Sequence, residues 1–440
     1  MIEVQQNRKF NAAVICPEVF GEPNSLSPES RLAEAEGLAL AIRLNVVYKE
    51  SLKLKEIKPA AYFSKGFLER FKPLIAENNI ELLIVDTRLS PIQQRNLERE
   101  LKLKVIDRTA LILEIFGERA QTKEGAMQVE LAHLTYQRSR LVRSWTHLER
   151  QRGGAGFLGG PGETQIELDR RVIDDKIVRI KKDLEKVRQT RGIQRSARRK
   201  VPYPVVALVG YTNAGKSTLF NYLADSRVMA ADMLFATLDP TMRKISLSGG
   251  REVILSDTVG FISDLPHELV MAFRATLEEV LNADIILHIR DVSNPDNQEQ
   301  CADVLAVLAH LGLKEIKTAD NYIEVFNKAD LLPPEDLPRW QAKTANSANL
   351  VLTSAISGEG GDKLLELIRQ KLAQGQKKCQ IEIPVTDGKL RAWIYQKSEV
   401  QKLENTEQTN IFTVCISAEN LARFEKMTAD NPQVLIRRNL

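Results

Sequence analysis

Over roughly the first 110 residues, short apolar runs alternate with stretches in which apolar positions recur every three or four residues. The runs "AAVIC" (12–16), "LNVVY" (44–48), "AAYF" (60–63), "ELLIVD" (81–86) and "KVID" (104–107) read as strands. The stretches "PESRLAEAEGLALAI" (28–42), "KGFLERFKPLIAENN" (65–79) and "PIQQRNLERELK" (91–102) read as helices. Strands alternating with helices predict βαβ units and a mostly parallel sheet. No catalytic constellation falls in this region, so its expected role is docking or scaffolding.

From about Arg108 the pattern changes to long helices. Met127, Leu131, Leu134, Leu141, Trp145 and Leu148 follow alternating steps of four and three, with Arg138 at the one seam position that is not apolar. Ile166, Ile173, Ile177, Ile180, Leu184 and Val187 repeat the spacing, with Arg170 in the seam. Two such heptad helices predict an antiparallel hairpin. A helix from about Glu118 to Gln151 would carry the hairpin's tip on the order of 50 Å from its base. The tip is "QRGGAGFLGGPG" (151–162), which holds six glycines around Phe157 and Leu158. "TQIE" reads as a capping box, Thr164 with Glu167, starting the second helix. A plain flexible linker would expose no apolar pair, so the tip is expected to make contacts.

Charge is spread unevenly. The net charge is only +4, yet between Tyr136 and Lys200 stand eighteen Lys and Arg against eight Asp and Glu, which makes the hairpin a candidate polyanion contact. The four cysteines (16, 301, 379 and 415) form no Cys-x-x-Cys pair, which argues against a disulfide framework and a structural zinc site. No run approaches the ~20 apolar residues of a membrane span, and the first twenty residues lack an export signal, so a cytoplasmic protein is expected. Heptads that pair within one chain leave no seam for a second copy, so a monomer is expected.

The chemistry sits after Pro202 and Pro204. "VPYPVVALVGYTNAGKSTLFNYL" is strand, turn and helix around Gly210-x-x-x-x-Gly215-Lys216-Ser217, a phosphate cradle: Lys216 for the β and γ phosphates, the Ser217 hydroxyl for magnesium. "REVILSDTVGF" ends a strand in Asp257-Thr258-Val259-Gly260, where Asp257 would hold magnesium through water and the Gly260 amide would meet the γ-phosphate. "NYIEVFNKAD" runs into Asn327-Lys328-Ala329-Asp330. The Asp330 carboxylate can accept from N1–H and the 2-amino group of guanine, which adenine does not offer in that arrangement. "LVLTSAISG" places the Ser354 and Ala355 amides for the guanine O6. Between the first two segments, "ADMLFATLDPTMRKI" can close over the nucleotide if a hydroxyl reaches magnesium; Thr237 is the first choice and Thr241 the fallback, against a plain turn at "LDPT". The five histidines (133, 147, 267, 288 and 310) suggest no cluster.

The glycine stretch with "PGETQIELDRR", then "GYTNAGKSTLFN", "FATLDPT", "DTVGFI", "NKAD" and "SAISG", resembles the HflX family of translation-factor-class GTPases over about residues 8–372; the last seventy residues match loosely. The resemblance implies a GTPase that binds the large ribosomal subunit near the peptidyl transferase centre and splits stalled or idle ribosomes under stress, with GTP/GDP and Mg2+ as cofactors and no DNA partner. It places the magnesium ligands on Ser217 and Thr237 and the catalytic groups on Lys216, Thr237 and Gly260. Nucleotide contacts fall on Gly210, Tyr211, Thr212, Asn213, Ala214, Gly215, Lys216 and Ser217. They continue through Phe235, Ala236, Thr237, Leu238 and Asp239, then Asp257 to Gly260, Asn327 to Asp330, and Ser354 with Ala355.

The expected architecture is α/β: a parallel βαβ domain (1–110), a long antiparallel helical hairpin (111–200), a P-loop GTPase domain of mostly parallel sheet with helices on both faces (201–373), and a small C-terminal α/β domain (376–440). In the last, strands at 380–385, 410–417 and 433–437 alternate with helices at 388–400 and 418–427. Phe261 stands where Ras-like GTPases place a water-orienting glutamine, so intrinsic hydrolysis is expected to be slow and partner-stimulated. The rival reading is a regulatory GTP-binding module whose hairpin grips a protein rather than RNA. A metabolic P-loop kinase fits poorly, because no substrate pocket is apparent.

Overall fold

The computed structural model describes residues 10–21, 26–151, 161–198, 203–225, 234–235, 241–248, 251–264, 280–345, 347–373, 376–406, 408–429 and 431–438. They build three separate sheets. The first is all parallel, in the order β2-β1-β3-β4, from β1 (Asn11–Val19), β2 (Asn45–Leu54), β3 (Leu82–Val85) and β4 (Lys104–Asp107). The inner strands are near-continuous buried apolar runs because helices cover both faces. Those helices are α1 (Pro28–Ala41), α2 (Lys65–Glu77) and α3 (Pro91–Leu101), followed by α4 (Arg108–Arg119). Ser27, Ser64 and Ser90 each cap a helix by accepting from the amide three residues on, at 3.3, 3.3 and 3.2 Å. α2 and α3 bury Phe67, Phe71, Leu97 and Leu101 on one face of the sheet; α1 and α4 bury Leu38, Leu111, Ile115 and Phe116 on the other.

The expected strand at 60–63 is a turn. Tyr62 takes a left-handed φ of 62°, and the Phe63 amide donates to the Ala61 carbonyl at 2.6 Å. The aromatic pair that suggested a strand instead fills the core under α2, with Phe63 and Phe67 rings 4.8 Å apart.

The hairpin's first helix is α5 (Lys123–Gln151), separated from α4 by an extended Ala120 and by Thr122, whose hydroxyl accepts from Gly125 N at 2.9 Å. A single helix beginning near Glu118 is therefore corrected to two. The second hairpin helix, α6 (Pro161–Arg198), starts three residues before Thr164, so the expected cap at Thr164 is also corrected. Proline's fixed φ and missing N–H suit the first turn of a helix, which lets the earlier start win. Leu134 packs with Ile177 and Ile180, and around them lie Met127, Leu131, Ile173 and Leu184. The polar seam residue Arg138 meets Asp174 across the hairpin at 3.2 Å. The glycine-rich tip with Phe157 and Leu158 (152–160) lies outside the described residues.

The hairpin's root is fastened to the first sheet through Asp107, which is fully buried. Its Oδ1 accepts from Tyr136 Oη at 2.8 Å and from Ala110 N at 2.9 Å; its Oδ2 accepts from Arg140 at 2.6 Å and Leu89 N at 3.2 Å. Substituting Asp107→Ala strands all four donors. It is expected to cost about 3–5 kcal/mol of stability, read as a lowered urea midpoint, because breaking a buried ion pair from one side leaves an uncompensated charge. An unchanged midpoint would refute that role.

The second sheet has the order β10-β9-β8-β5-β7-β6, from β5 (Val205–Gly210), β6 (Thr241–Ser246), β7 (Glu252–Asp257), β8 (Ile285–Asp291), β9 (Tyr322–Asn327) and β10 (Leu350–Leu352). Only the edge strand β6 runs antiparallel. Leu219 and Phe220 of α7 (Lys216–Leu223) and Leu364 and Ile368 of α10 (Gly361–Ala373) cover one face. α8 (Asn297–His310) covers the other with Val304 and Leu308, in a core continuous with that of α1 and α4. α9 (Leu337–Ala345) lies beyond β9, its Trp340 against Phe326.

The third sheet is antiparallel, β12-β13-β11-β14, with β11 (Gln376–Pro384), α11 (Gly388–Lys397), β12 (Glu399–Asn405), β13 (Thr409–Ser417), α12 (Ala418–Thr428) and β14 (Leu435–Arg438). The expected helix through Val400 ends at Lys397, and "EVQKLEN" becomes an edge strand; its polar composition is that of a solvated edge. No helix among the described residues is long and apolar enough to cross a membrane.

Candidate nucleotide site

Four loops meet at the carboxyl ends of β5, β7, β9 and β10, the crevice in which open α/β sheets bind ligands. Gly210 ends β5, and residues 211–215 turn into α7, whose first amides face the crevice. Gly215 sits at φ +86°, and a Cβ there would lie 2.2 Å from Asn327 Nδ2. Only glycine allows this close approach, which brings the phosphate loop onto the Asn-Lys-x-Asp loop. Asn327 Nδ2 then donates to the Ala214 carbonyl at 2.9 Å.

Lys216 is buried and donates to the carbonyls of Gly210 (3.1 Å) and Tyr211 (2.7 Å). Burial pushes its ammonium down to about 8, opposed by the pull of Asp257. An anion bound beside it would hold the charged form more firmly. The Thr212 hydroxyl is buried without a partner among the described residues, as a polar atom shaped for a ligand would be. Asn213 takes φ 58° at the exposed bend, and Ala214 is buried.

Ser217 Oγ donates to Asp257 Oδ2 at 2.6 Å. A hydroxyl and a carboxylate at the head of the phosphate helix form an all-oxygen donor set, which fits a hard divalent cation such as Mg2+. After Asp257, Thr258 donates to the Leu208 carbonyl at 2.6 Å, and Val259 is buried. Gly260 lies against the phosphate loop: a Cβ there would be 2.9 Å from Thr212 Cγ2 and 3.0 Å from Lys216 Nζ. Phe235 is buried against Phe116, ring centroids 4.6 Å apart, while Ala236, Thr237, Leu238 and Asp239 lie outside the described residues. Thr241 opens β6 opposite Asp257.

At the base end, Ser354 Oγ donates to Asp330 Oδ1 at 2.5 Å, and Lys328 pairs with Asp291 at 2.7 Å. Ala329 N donates to the Thr353 carbonyl at 3.1 Å. The Ala355 amide donates to Asn327 Oδ1 at 3.1 Å and the Ser354 amide to the Glu359 carbonyl at 2.9 Å, so both amides expected for O6 are already engaged. A purine oxygen there has to share or displace Asn327.

Sequence reading missed a buried group beside this site. His288, Cys301 and Glu324 bring their ligand atoms within 4.8 Å of one another, so His288 is not isolated. Its Nδ1 lies 2.6 Å from Tyr322 Oη, and burial first, then Arg290, pushes the imidazole down to about 3, leaving it neutral. Arg290 (3.1 Å) and Lys317 (3.8 Å) already balance Glu324, which disfavours a further cation. Alternation along β8 and β9, residues 288/290 and 322/324, was the available signal.

Comparison with known proteins bears on this arrangement. Four family descriptions match in chain order: GTP-binding GTPase N-terminal (29–117), GTP-binding GTPase Middle Region (119–198), 50S ribosome-binding GTPase (205–328) and HflX C-terminal domain (340–433). GTPase HflX of Magnetococcus marinus is 46% identical over 394 residues, 90% of each chain. The chain belongs to the HflX GTPase family. GTPase HflX of Escherichia coli is 43% identical over 84% of this chain and 86% of its own. A GTP-binding protein from Sulfolobus solfataricus, solved with GDP, is 24% identical over 83% of this chain and 99% of its own, at a TM-score of 0.44. As an HflX GTPase the chain binds guanine nucleotide and hydrolyses GTP.

Proposed function

We propose that this HflX GTPase binds the large ribosomal subunit in the cytoplasm as a monomer, reaches toward the peptidyl transferase centre with its glycine-rich tip, and uses GTP to split stalled or idle ribosomes under stress. One observation carries the reading: a two-helix arm, 29 and 38 residues long, whose root is fixed by buried polar bonds and which, between Tyr136 and Lys200, holds eighteen Lys and Arg against eight Asp and Glu, an excess that remains after Arg170, Arg171 and Lys186 pair with carboxylates of their own helix. A rigid cationic rod suits an RNA-walled channel, in which glycines let backbone approach bases closely and Phe157 stacks on one. The matched description of residues 205–328 as a 50S ribosome-binding GTPase agrees with this. In the nucleotide site, Ser217 and Thr237 would hold Mg2+ with Asp257 ordering it through water, to offset phosphate charge, and Lys216 and the Gly260 amide would meet the γ-phosphate. Asp330 reads the guanine edge.

Co-sedimentation with separated subunits in GDP against a non-hydrolysable GTP analogue tests the reading: capture by large subunits in the analogue, falling steeply with salt, is expected. Equal capture in both nucleotides would sink it, and nuclease-independent, salt-insensitive capture would favour a protein partner. Replacing Gly153 to Gly162 by a Ser-rich loop of equal length should weaken ribosome capture about tenfold or more and leave free GTP affinity unchanged. Undiminished capture would return the tip to a linker.

A further inference from the structure

The parallel sheet of the first unit reverses its order between β1 and β3, and crevices of such sheets bind ligands at the carboxyl ends flanking that reversal. Asp86 follows β3, Arg108 follows β4, and Glu34 faces them from α1. What fills this crevice is a piece of the same chain: Ser263, three residues beyond Gly260. Every polar group of Ser263 is held. Its amide donates to Tyr211 Oη at 2.8 Å, its carbonyl accepts from Arg108 at 2.9 Å, and its hydroxyl donates to Glu34 at 2.9 Å and accepts from Arg108 at 3.1 Å. The cluster closes on itself, with Arg108 bound to Asp86 at 2.5 Å and to Glu34, and Tyr211 Oη donating to Glu34.

Tyr211 belongs to the phosphate loop, so the cluster joins three things: the phosphate loop, the segment after Gly260 and the N-terminal unit. The two loops are zipped between them, Phe261 N to the Gly210 carbonyl at 3.1 Å and Thr212 N to the Phe261 carbonyl at 2.7 Å. A γ-phosphate held by both Lys216 and the Gly260 amide has to lie between them. There a Cβ on Gly260 would already stand 3.0 Å from Thr212 Cα, a backbone atom of the phosphate loop that no side-chain rotation clears, so the phosphoryl group requires the loops to part. Parting them carries residues 261–263 away from Tyr211, Arg108 and Glu34. GDP reaches only the β position and makes no such demand. The same unit also holds the front of the other sensing loop, with Gly37 against Leu234 and Phe116 against Phe235.

We propose that Glu34, Arg108 and Ser263 are positioning residues that set the GTP-against-GDP preference, by fastening the Asp-x-x-Gly loop shut against the phosphate loop from the N-terminal crevice. A ligand shifts such an equilibrium only by its differential interaction with the two states, and the coupling is reciprocal. GTP therefore loosens the N-terminal unit's hold, and loosening that hold favours GTP. The inference rests on nucleotide binding alone and is independent of what the hairpin meets.

Full-length Ser263→Ala and Glu34→Gln each delete part of the cluster without touching the nucleotide. In each, equilibrium affinity for a non-hydrolysable GTP analogue should rise about tenfold, the scale of losing one or two hydrogen bonds to charged groups, with GDP affinity within about twofold of the parent. In the parent chain, amide hydrogen exchange over residues 108–116 should quicken when the analogue replaces GDP, and in the variants it should be fast with either nucleotide. The proposal is overturned if, in either variant, analogue and GDP affinities change by the same factor or not at all. It is also overturned if exchange over 108–116 ignores the nucleotide in the parent.

Discussion

Asp330→Asn should lower GTP affinity on the order of 10³-fold and bring xanthosine triphosphate into the range that GTP now occupies. In the unmodified site a carboxylate offers two acceptors to two donors, N1–H and the 2-amino group of guanine. Asparagine keeps one acceptor and sets an NH2 against the remaining donor, which opposes two donors; xanthine carries an oxygen at that position and repairs it. The surroundings favour a clean exchange of partners. Asp330 is oriented by Ser354 at 2.5 Å, whereas the joint between the base loop and the phosphate loop runs through Asn327 to Ala214 and Ala355, which the substitution leaves alone. Competition binding with GTP, GDP, ATP and xanthosine nucleotides measures it. If GTP affinity stays within a few-fold of the parent, Asp330 does not read the base.

That part of the site was legible because its chemistry is local. The phosphate cradle, Asp257 to Gly260, Asn327 to Asp330, and Ser354 with Ala355 are each a few consecutive residues at a strand's carboxyl end, and the parallel sheet brings those ends to one crevice. The central strands were legible for a related reason: burial on both faces turns them into continuous apolar runs, as in β5 and β9. Two edge strands escaped. β12 and β6 are polar on exposed flanks, so neither "EVQKLEN" nor "TMRKIS" carries the signal. Aromatic residues misled at 60–63, where rings that fill a core look like rings that line a strand. Least legible was the cluster around Ser263. Arg108 lies 74 positions from Glu34 and 155 from Ser263, and nothing near any of the three in the sequence marks them as partners. In the sequence nothing sets Glu34 or Ser263 apart from their neighbours, and Arg108 only marks where the pattern turns to long helices; only packing of one unit on the other makes them a site.

Alone, the protein should turn over GTP slowly, on the order of 10⁻³ s⁻¹ or less in a single turnover, and large ribosomal subunits should raise the rate at least a hundredfold. The reason is the residue after Asp-x-x-Gly. Phe261 has no group to orient water, and its ring is 2% exposed, packed into the core that joins α4 to the second sheet. Its amide and carbonyl are both spent on the phosphate loop. No rotation of this side chain delivers a polar atom to the γ-phosphate while that packing lasts, so acceleration has to come from a partner that rearranges the loops or supplies the missing group. A second measurement separates packing from chemistry. Phe261→Gln, which restores the Ras-like residue, should not raise the intrinsic rate. It places an amide in an apolar cavity and should cost about 3 kcal/mol of stability instead, seen as a lowered urea midpoint. Single-turnover phosphate release from the parent that is equally fast with and without large subunits would defeat the partner-activation reading. A Phe261→Gln chain that hydrolyses GTP much faster unaided would show that the core does not hold position 261 away from the reacting phosphate.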